Sequence, residues 1–493
     1  MIRQLIKALK VLLVLTFDLE ASEVKTMKTE LTKAKSTQEE IKKPSKFPNN
    51  KKLSYDDLVN AVNKNFPLLA VAFQDVKIAE GDLLESKGGF DPELKGGGYL
   101  SQGYYNNSRF DALVDQPTSV RGMSFFGGYR LGVGNFPPYY GARETNRYGE
   151  LRAGAKIPLW RDVSIDDRRA KLKKAQVGLR LADLSAQKQK IEIFREAALK
   201  YWYWVATVEK YKISKSLYDI ALERQSQIDR RVKAGDLAQI EQKDNERILL
   251  QRESKLLADE QMMEIMSNEL NVFLEGEIKE NVRFGPEMLP ENPFNQLDDI
   301  LNIDLDKEIK IALDKRPELL IFKSQKDQNR IDQELARNDM KPGVDLVVAA
   351  SQDFGPGSST RSKTELEAAV VLKVPLRTRK QQGKYDKSVA KNKQLDAKEE
   401  YLVTRIKADI KNLYKILNVT RQRAQIAKKE LSLAKELEKA EIKRFKIGEG
   451  TLIIVNIREN TTGEAGFREI DAKANHNIAI INFRAALVDI IPK

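Results

Sequence analysis

Two short stretches carry the residue types best suited to chemistry, and the chemistry they suit is recognition. They are Arg231–Ala238, read RVKAGDLA, and Arg444–Thr451, read RFKIGEGT. In each, an Arg lies four residues before a Gly and an acid follows that Gly directly: Gly235, Asp236 and Leu237 in the first, Gly448, Glu449 and Gly450 in the second. Small residues let another backbone approach closely, and the acid offers a charge to read. The plainer reading is a helix ending in a left-handed cap, for which Gly is the default. That reading explains each Gly but not the parallel cation-Gly-acid setting in both.

The rest of the chain narrows the chemistry by what it lacks. Its 493 residues include no Cys and one His, His476. That excludes a disulfide framework, a thiolate metal site, a Cys nucleophile and a lipidated N-terminal Cys. It leaves no His pair for zinc and no Ser-His-Asp set. No GxxxxGK[ST] loop is present, so nothing here hydrolyses a nucleotide. The carboxylates lie among lysines along helical stretches such as AKKELSLAKELEKAEIKR, where they read as solvated surface charges. No catalytic residue, metal ligand or cofactor is assigned, and the chain reads as no enzyme. The formal charge of +13 suits nucleic acid, anionic lipid or plain solubility. The alternation of Lys and Arg with Asp and Glu favours a solvated helix face, and no RNP-like, finger or basic-region pattern points to nucleic acid.

The elements that must position the two stretches are long helices. The 32% charged content and mean hydropathy of −0.50 suit solvated helices better than one compact core. Residues 1–22 hold Arg3, Lys7 and Lys10 before the short apolar run Val11–Phe17, then Ala21-Ser22. This reads as an export signal, with a short amphipathic helix as the alternative. Residues 23–52 read as a flexible linker rich in Lys, Thr, Glu and Ser. Ser54, with Asp57 three residues on, opens a helix as a capping pair, and Pro67 opens another that Gly88-Gly89 stops. Strands are expected at about 92–105 and 148–159, separated by a long polar, aromatic loop containing Phe125, Phe126, Phe136, Tyr139 and Tyr140. A helix then runs from about Ser164 to Val232, with Leu172, Ala175, Leu179, Ala182 and Ala186 at steps of three and four, and it resumes beyond Gly235 to about Leu274. Residues 277–310 read as a small wrapping segment.

The pattern then starts again. Pro67 to Pro92 is 25 residues, and so is Pro317 to Pro342. Ser101-Gln102 and Ser351-Gln352 keep the same 250-residue offset, and Ile157-Pro158-Leu159 matches Val374-Pro375-Leu376. Residues 53–276 and 311–493 therefore read as two copies of one unit. The second copy has strands at about 343–354 and 364–376, and a long helix whose seam runs Ile410, Leu413, Leu417, Thr420, Ala424, Ala427, Leu431 and Ala434. The main difference is the span between strands: 66 residues from Pro92 to Pro158, against 33 from Pro342 to Pro375.

Beyond the N-terminal segment no uncharged run approaches the roughly 18 residues of a membrane helix, so any entry into a membrane must be by strands. The expected strands are long enough to cross a bilayer tilted, apolar on one face and charged on the other. Four strands cannot close around a lumen, so membrane strands require oligomerisation. Trp160, directly after the second strand, suits an interface anchor. A soluble β-sandwich edge is the alternative for the strands, and a secreted or cytosolic coiled-coil scaffold with a small β cap is the alternative for the whole.

From about Leu53 to the C-terminus the chain resembles the TolC family of outer-membrane efflux channels. The resemblance is carried by RPELLIFKSQKDQNRIDQELARNDMKPGVDLVVAAS, by the strand-ending KIPLWRD and KVPLRTR, and by KAGDLAQIEQKDNERI and KIGEGTLIIVNIRENT, in their order and duplication. It implies an α+β membrane protein forming, as a homotrimer, a 12-stranded outer-membrane β-barrel continued by a long periplasmic α-helical barrel. It implies a passive channel-tunnel embedded in outer-membrane lipid. Its partners would be a periplasmic adaptor (membrane fusion) protein and an inner-membrane pump of RND or ABC type. Adaptor docking would fall to Gly235, Asp236, Leu237, Gly448, Glu449 and Gly450, although Gly450 stands where the family pattern leads one to expect a larger residue. Glu438 and Glu441 lie near the second tip, but no gate residue is assigned. Cargo is not legible.

Overall fold

The computed structural model describes residues 52–137, 144–274, 284–300 and 303–490. The expected export signal and nearly all of the linker lie outside these, as do Tyr139 and Tyr140. In chain order the elements are α1 (Tyr55–Asn65), α2 (Pro67–Gly88), β1 (Glu93–Ser101), β2 (Asn107–Pro117), β3 (Ser124–Gly134), β4 (Glu150–Pro158), α3 (Asp167–Lys233) and α4 (Gln239–Leu274). They continue with α5 (Leu305–Lys315), α6 (Pro317–Asp339), β5 (Gly343–Asp353), β6 (Glu365–Lys373), α7 (Arg379–Lys446) and α8 (Leu452–Ala486). Ser54 caps α1 in the expected box: its hydroxyl accepts from Asp57 N, and Asp57 accepts from the Ser54 N–H. Pro67 and Pro317 each occupy the first turn of their helix, where a missing N–H costs nothing.

The helices form one layer. α3 has 67 residues and α7 has 68, about 100 Å each at 1.5 Å per residue. Near the sheet the order across the layer is α2–α3–α6–α7, and toward the tips it is α4–α3–α8–α7. A short helix above and a medium one below thus share one long partner. The seam positions Ile410, Leu417, Thr420, Ala427 and Ala434 of α7 are all buried. Midway along the bundle, aromatic residues knot the layer to the wrapping segment. Tyr201, Trp202 and Trp204 are fully buried. Trp204 Nε1 donates to Phe284 O at 2.8 Å, and the Tyr201 hydroxyl lies 3.0 Å from Leu53 O.

Among the described residues six strands form one antiparallel sheet in the order β1-β2-β3-β4-β5-β6. The expectation of two strands per repeat holds for the second repeat and fails for the first. The span read as a polar, aromatic loop contains the hairpin β2–β3. Its register is continuous with its neighbours: Gly96 faces Ala112, Ala112 faces Tyr129, and Tyr129 faces Leu151. The 33 extra residues between Pro92 and Pro158 are mostly this hairpin. A four-stranded contribution per chain, and with it a 12-stranded barrel from three chains, does not fit this sheet.

Candidate duct faces and docking tips

Because strand side chains alternate in direction, the ladder register sorts the sheet into two faces. One carries Leu94, Phe110, Val114, Leu131, Leu151, Ala153, Ile157, Leu346, Val348, Leu366, Val370 and Leu372, and no Asp, Glu, Lys or Arg from any of the six strands. The other carries the charges, and they bridge strands. Lys95 Nζ lies 3.1 Å from Asp115, Arg130 reaches both Asp111 at 3.0 Å and Glu150 at 3.4 Å, and Lys156 lies 2.8 Å from Asp345. Arg152 of β4 spans β5 to pair with Glu367 of β6. Strands of 9–11 residues match the length that crosses a bilayer when tilted.

The chain enters β1 and β5 from helices and leaves β4 and β6 into helices, which defines a helix-side rim. Trp160 lies on it, 55% exposed, just past the end of β4. The opposite rim is tied across the two repeats by Asn146, whose N–H donates to Asp353 and whose side-chain oxygen accepts from Ser358 N, both at 2.9 Å.

At the far end of the helices the two tips are the same motif. Gly235 N donates to Val232 O and Asp236 N to Arg231 O, at 3.1 and 2.9 Å. In the second tip Gly448 N donates to Phe445 O and Glu449 N to Arg444 O, at 3.1 and 3.0 Å. Each is a helix stop closed by paired bonds around a left-handed residue, with φ of +81° at Gly235 and +84° at Gly448. A Cβ at either would meet nothing within 4 Å, so φ, and not crowding inside this chain, is what demands Gly. Gly235, Asp236, Gly448 and Glu449 are exposed, while Leu237 is half-buried. Gly450 has a different cause. A Cβ there would lie 3.0 Å from Glu441 Oε1 and 3.1 Å from Phe445 N, so the chain folds back tightly against α7 and a larger residue would have to push these neighbours by a few tenths of an ångström.

No family model and no curated protein sequence matches this chain. Solved structures do. The Campylobacter jejuni CmeC outer membrane channel superposes with a TM-score of 0.62 at 12% identity, over 89% of this chain and 86% of that one. The open state of the Neisseria gonorrhoeae MtrE outer membrane channel gives 0.62 at 14%, over 91% and 97%. A membrane protein from Pseudomonas aeruginosa gives 0.63 at 13%, over 88% and 92%. The fold is that of the outer-membrane channels. The order of helices and strands expected from the repeat is the one this chain adopts, apart from the hairpin β2–β3.

Within this channel fold, a buried charge cluster joins the two helical hairpins above the tips. Glu459 of α8 is 1% exposed. It accepts from Arg224 of α3 with both oxygens, one of them at 3.0 Å, and from Arg252 of α4 at 2.8 Å. Arg252 also donates to Leu217 O at 2.8 Å, and Arg224 to Asn456. Burial pushes the Glu459 carboxyl up, but the two guanidinium groups outweigh it and hold the carboxyl below the usual range. Sequence reading missed this cluster, because one Glu and two Arg among so many charged positions carry no local mark. His476 also has a structural setting. It lies 3.4 Å from Asp299, which Arg421 grips through two nitrogens at 2.7 and 2.8 Å. Burial lowers the imidazole pKa, and the nearby Asp299 only partly opposes this.

Proposed function

We propose that this chain is the protomer of a passive homotrimeric export duct in the outer membrane of a Gram-negative bacterium. The observation that carries this is that both layers stop at open edges on the same two sides. β1, α2 and α4 lie along one side, and β6 and α7 along the other. In lipid an unpaired strand edge costs several kcal/mol per backbone group. The helical edges have matching chemistry. Val419, Ile426 and Leu433 recur every seven residues on the exposed face of α7, with Ile416 and Leu437 beside them. On α4 the exposed residues Leu250, Leu257, Ile265 and Val272 follow one helix face. Copies of the chain would join α7 to α4 and β6 to β1, so that every edge is consumed in a ring.

In this reading the apolar sheet face meets lipid, the charged face lines a wet lumen, and Trp160 anchors the helix-side interface. The tips, with Gly235, Asp236, Leu237, Gly448, Glu449 and Gly450, form the surface for a periplasmic adaptor coupled to an inner-membrane pump of RND or ABC type, which supplies the energy. Cell fractionation tests the location: a heat-modifiable oligomer in the outer membrane supports the duct, and a soluble monomer overturns it. Charge reversal tests the tips. The double variant Asp236→Lys, Glu449→Lys should assemble normally and lose export, and normal export would reduce the tips to helix caps.

A further inference from the structure

We infer that three copies close into a single 18-stranded barrel, with the hairpin β2–β3 built into its wall. This rests on the three-copy duct proposed above and specifies its pore.

Three observations carry it. First, β2 and β3 span the full height of the sheet at 11 residues each, and both keep its two-faced pattern apart from Leu113 and Phe126, which lie on the charged face. Phe110, Ala112 and Val114 of β2 and Phe125, Tyr129, Leu131 and Val133 of β3 continue the apolar face, while Asp111 and Arg130 continue the charged one. A hairpin projecting into solvent or lying across the mouth would have no reason to keep that register. Second, the hairpin is fastened at the helix-side rim. A Cβ on Gly122, at φ +72° in the β2–β3 turn, would come within 2.4 Å of Asp162 O and 3.2 Å of an Arg169 guanidinium nitrogen at the start of α3. Gln116 Nε2 donates to Phe90 O, just before β1, at 2.7 Å. Third, six alternating strands leave β1 and β6 antiparallel, each 9 residues long, so the edge of one copy can pair with the opposite edge of the next throughout a closed ring.

The perimeters agree as well. Each copy places four helices side by side, so three copies present twelve, about 110–120 Å around at the usual spacing of 9–10 Å. Eighteen strands about 4.8 Å apart and tilted about 40° measure roughly 113 Å around. Twelve would measure only about 75 Å. With the hairpin in the wall, strand barrel and helical barrel meet at nearly equal girth, and the strand barrel is about 36 Å across at the backbone.

The absence of Cys makes disulfide mapping in the full-length, membrane-assembled protein direct. The pair Gly96→Cys, Ala112→Cys joins β1 to β2 and should form a bridge within one chain. The pair Gly96→Cys, Ala153→Cys would bridge only if β1 lay beside β4. Gly98→Cys combined in turn with Leu366→Cys, Ala368→Cys and Val370→Cys should give a covalent link between chains in at least one combination. Native mass spectrometry of the detergent-solubilised assembly counts chains independently. A trimer with the β1–β2 and β1–β6 links supports the inference. A trimer with the β1–β4 link overturns it and leaves the duct standing. A soluble monomer removes the duct and the barrel together.

Discussion

Replacing Glu459 with Ala should uncouple the two helical hairpins more than any surface change on them. Glu459 is 1% exposed and Arg252 6%, and the carboxylate compensates Arg252 and Arg224 at once. Removing one member of a buried ion pair typically costs about 3–5 kcal/mol, because a charge is left buried without its partner; an exposed pair is worth about 0–1 kcal/mol. The cost should fall on α8 and on the adjoining parts of α3 and α4. Native-state hydrogen exchange reads it locally, and about 3–5 kcal/mol corresponds to amides of α8 exchanging roughly 10²–10⁴ times faster. The triple variant Arg224→Met, Arg252→Met, Glu459→Leu removes the charges together and should recover most of the loss. The pH dependence has a definite sign. The folded carboxyl titrates below its unfolded value, so its contribution is complete above the ordinary Glu range near 4.3 and is lost as pH falls through the folded value. An exchange change under about tenfold in Glu459→Ala, or an undiminished loss in the triple variant, would refute the coupling role.

Other predictions concern assembly, acid sensitivity and the tips. Ile426→Asp with Leu433→Asp on the exposed stripe of α7 should leave secondary structure by circular dichroism unchanged and reduce the yield of trimer in size-exclusion chromatography at least several-fold. His476→Gln should flatten the stability profile on acidification: the imidazole titrates below its unfolded value, so the wild type loses stability as pH falls below about 6.5 and the variant lacks that term. Gly235→Asn and Gly448→Asn should keep the tip motif, since Asn tolerates a left-handed backbone. Val at the same positions should cost about 1–2 kcal/mol or more per site, seen as faster exchange of the last turns of α3 and α7 alone.

Much of the frame was legible because its signals are local and repeated. Pro67 and Pro317, the 25-residue spacings, the three-four seam of α7 and the Gly at each tip are marks that a helix leaves in its own sequence. The strands β1, β4, β5 and β6 were legible, β1 and β5 through the Pro that leads each and β4 and β6 through their alternation. β2 and β3 were not. Leu113 falls on the charged face and interrupts the alternation of β2, and SFFGGYRLGVG holds four Gly, which weaken any strand signal. These strands gain their definition from neighbours: Gly128, for example, has Ala112 O and Leu113 so close that a Cβ would lie 2.4 Å from the first.

The sequence by itself determined the duplicated order of elements, the long coiled helices and the αL stops that end them, since each follows from spacing and backbone preference within one segment. Tertiary structure alone decided three further things. It placed a third hairpin in the sheet, brought Glu459 within reach of Arg224 and Arg252 from more than 200 residues away, and aligned the open edges β1–α2–α4 and β6–α7 on opposite sides of one layer. Each is a relation between distant segments, fixed by which faces can be buried together. The same alignment gives the two tips their setting. Gly235 and Gly448 are required by φ, and the acids directly after them, Asp236 and Glu449, are exposed.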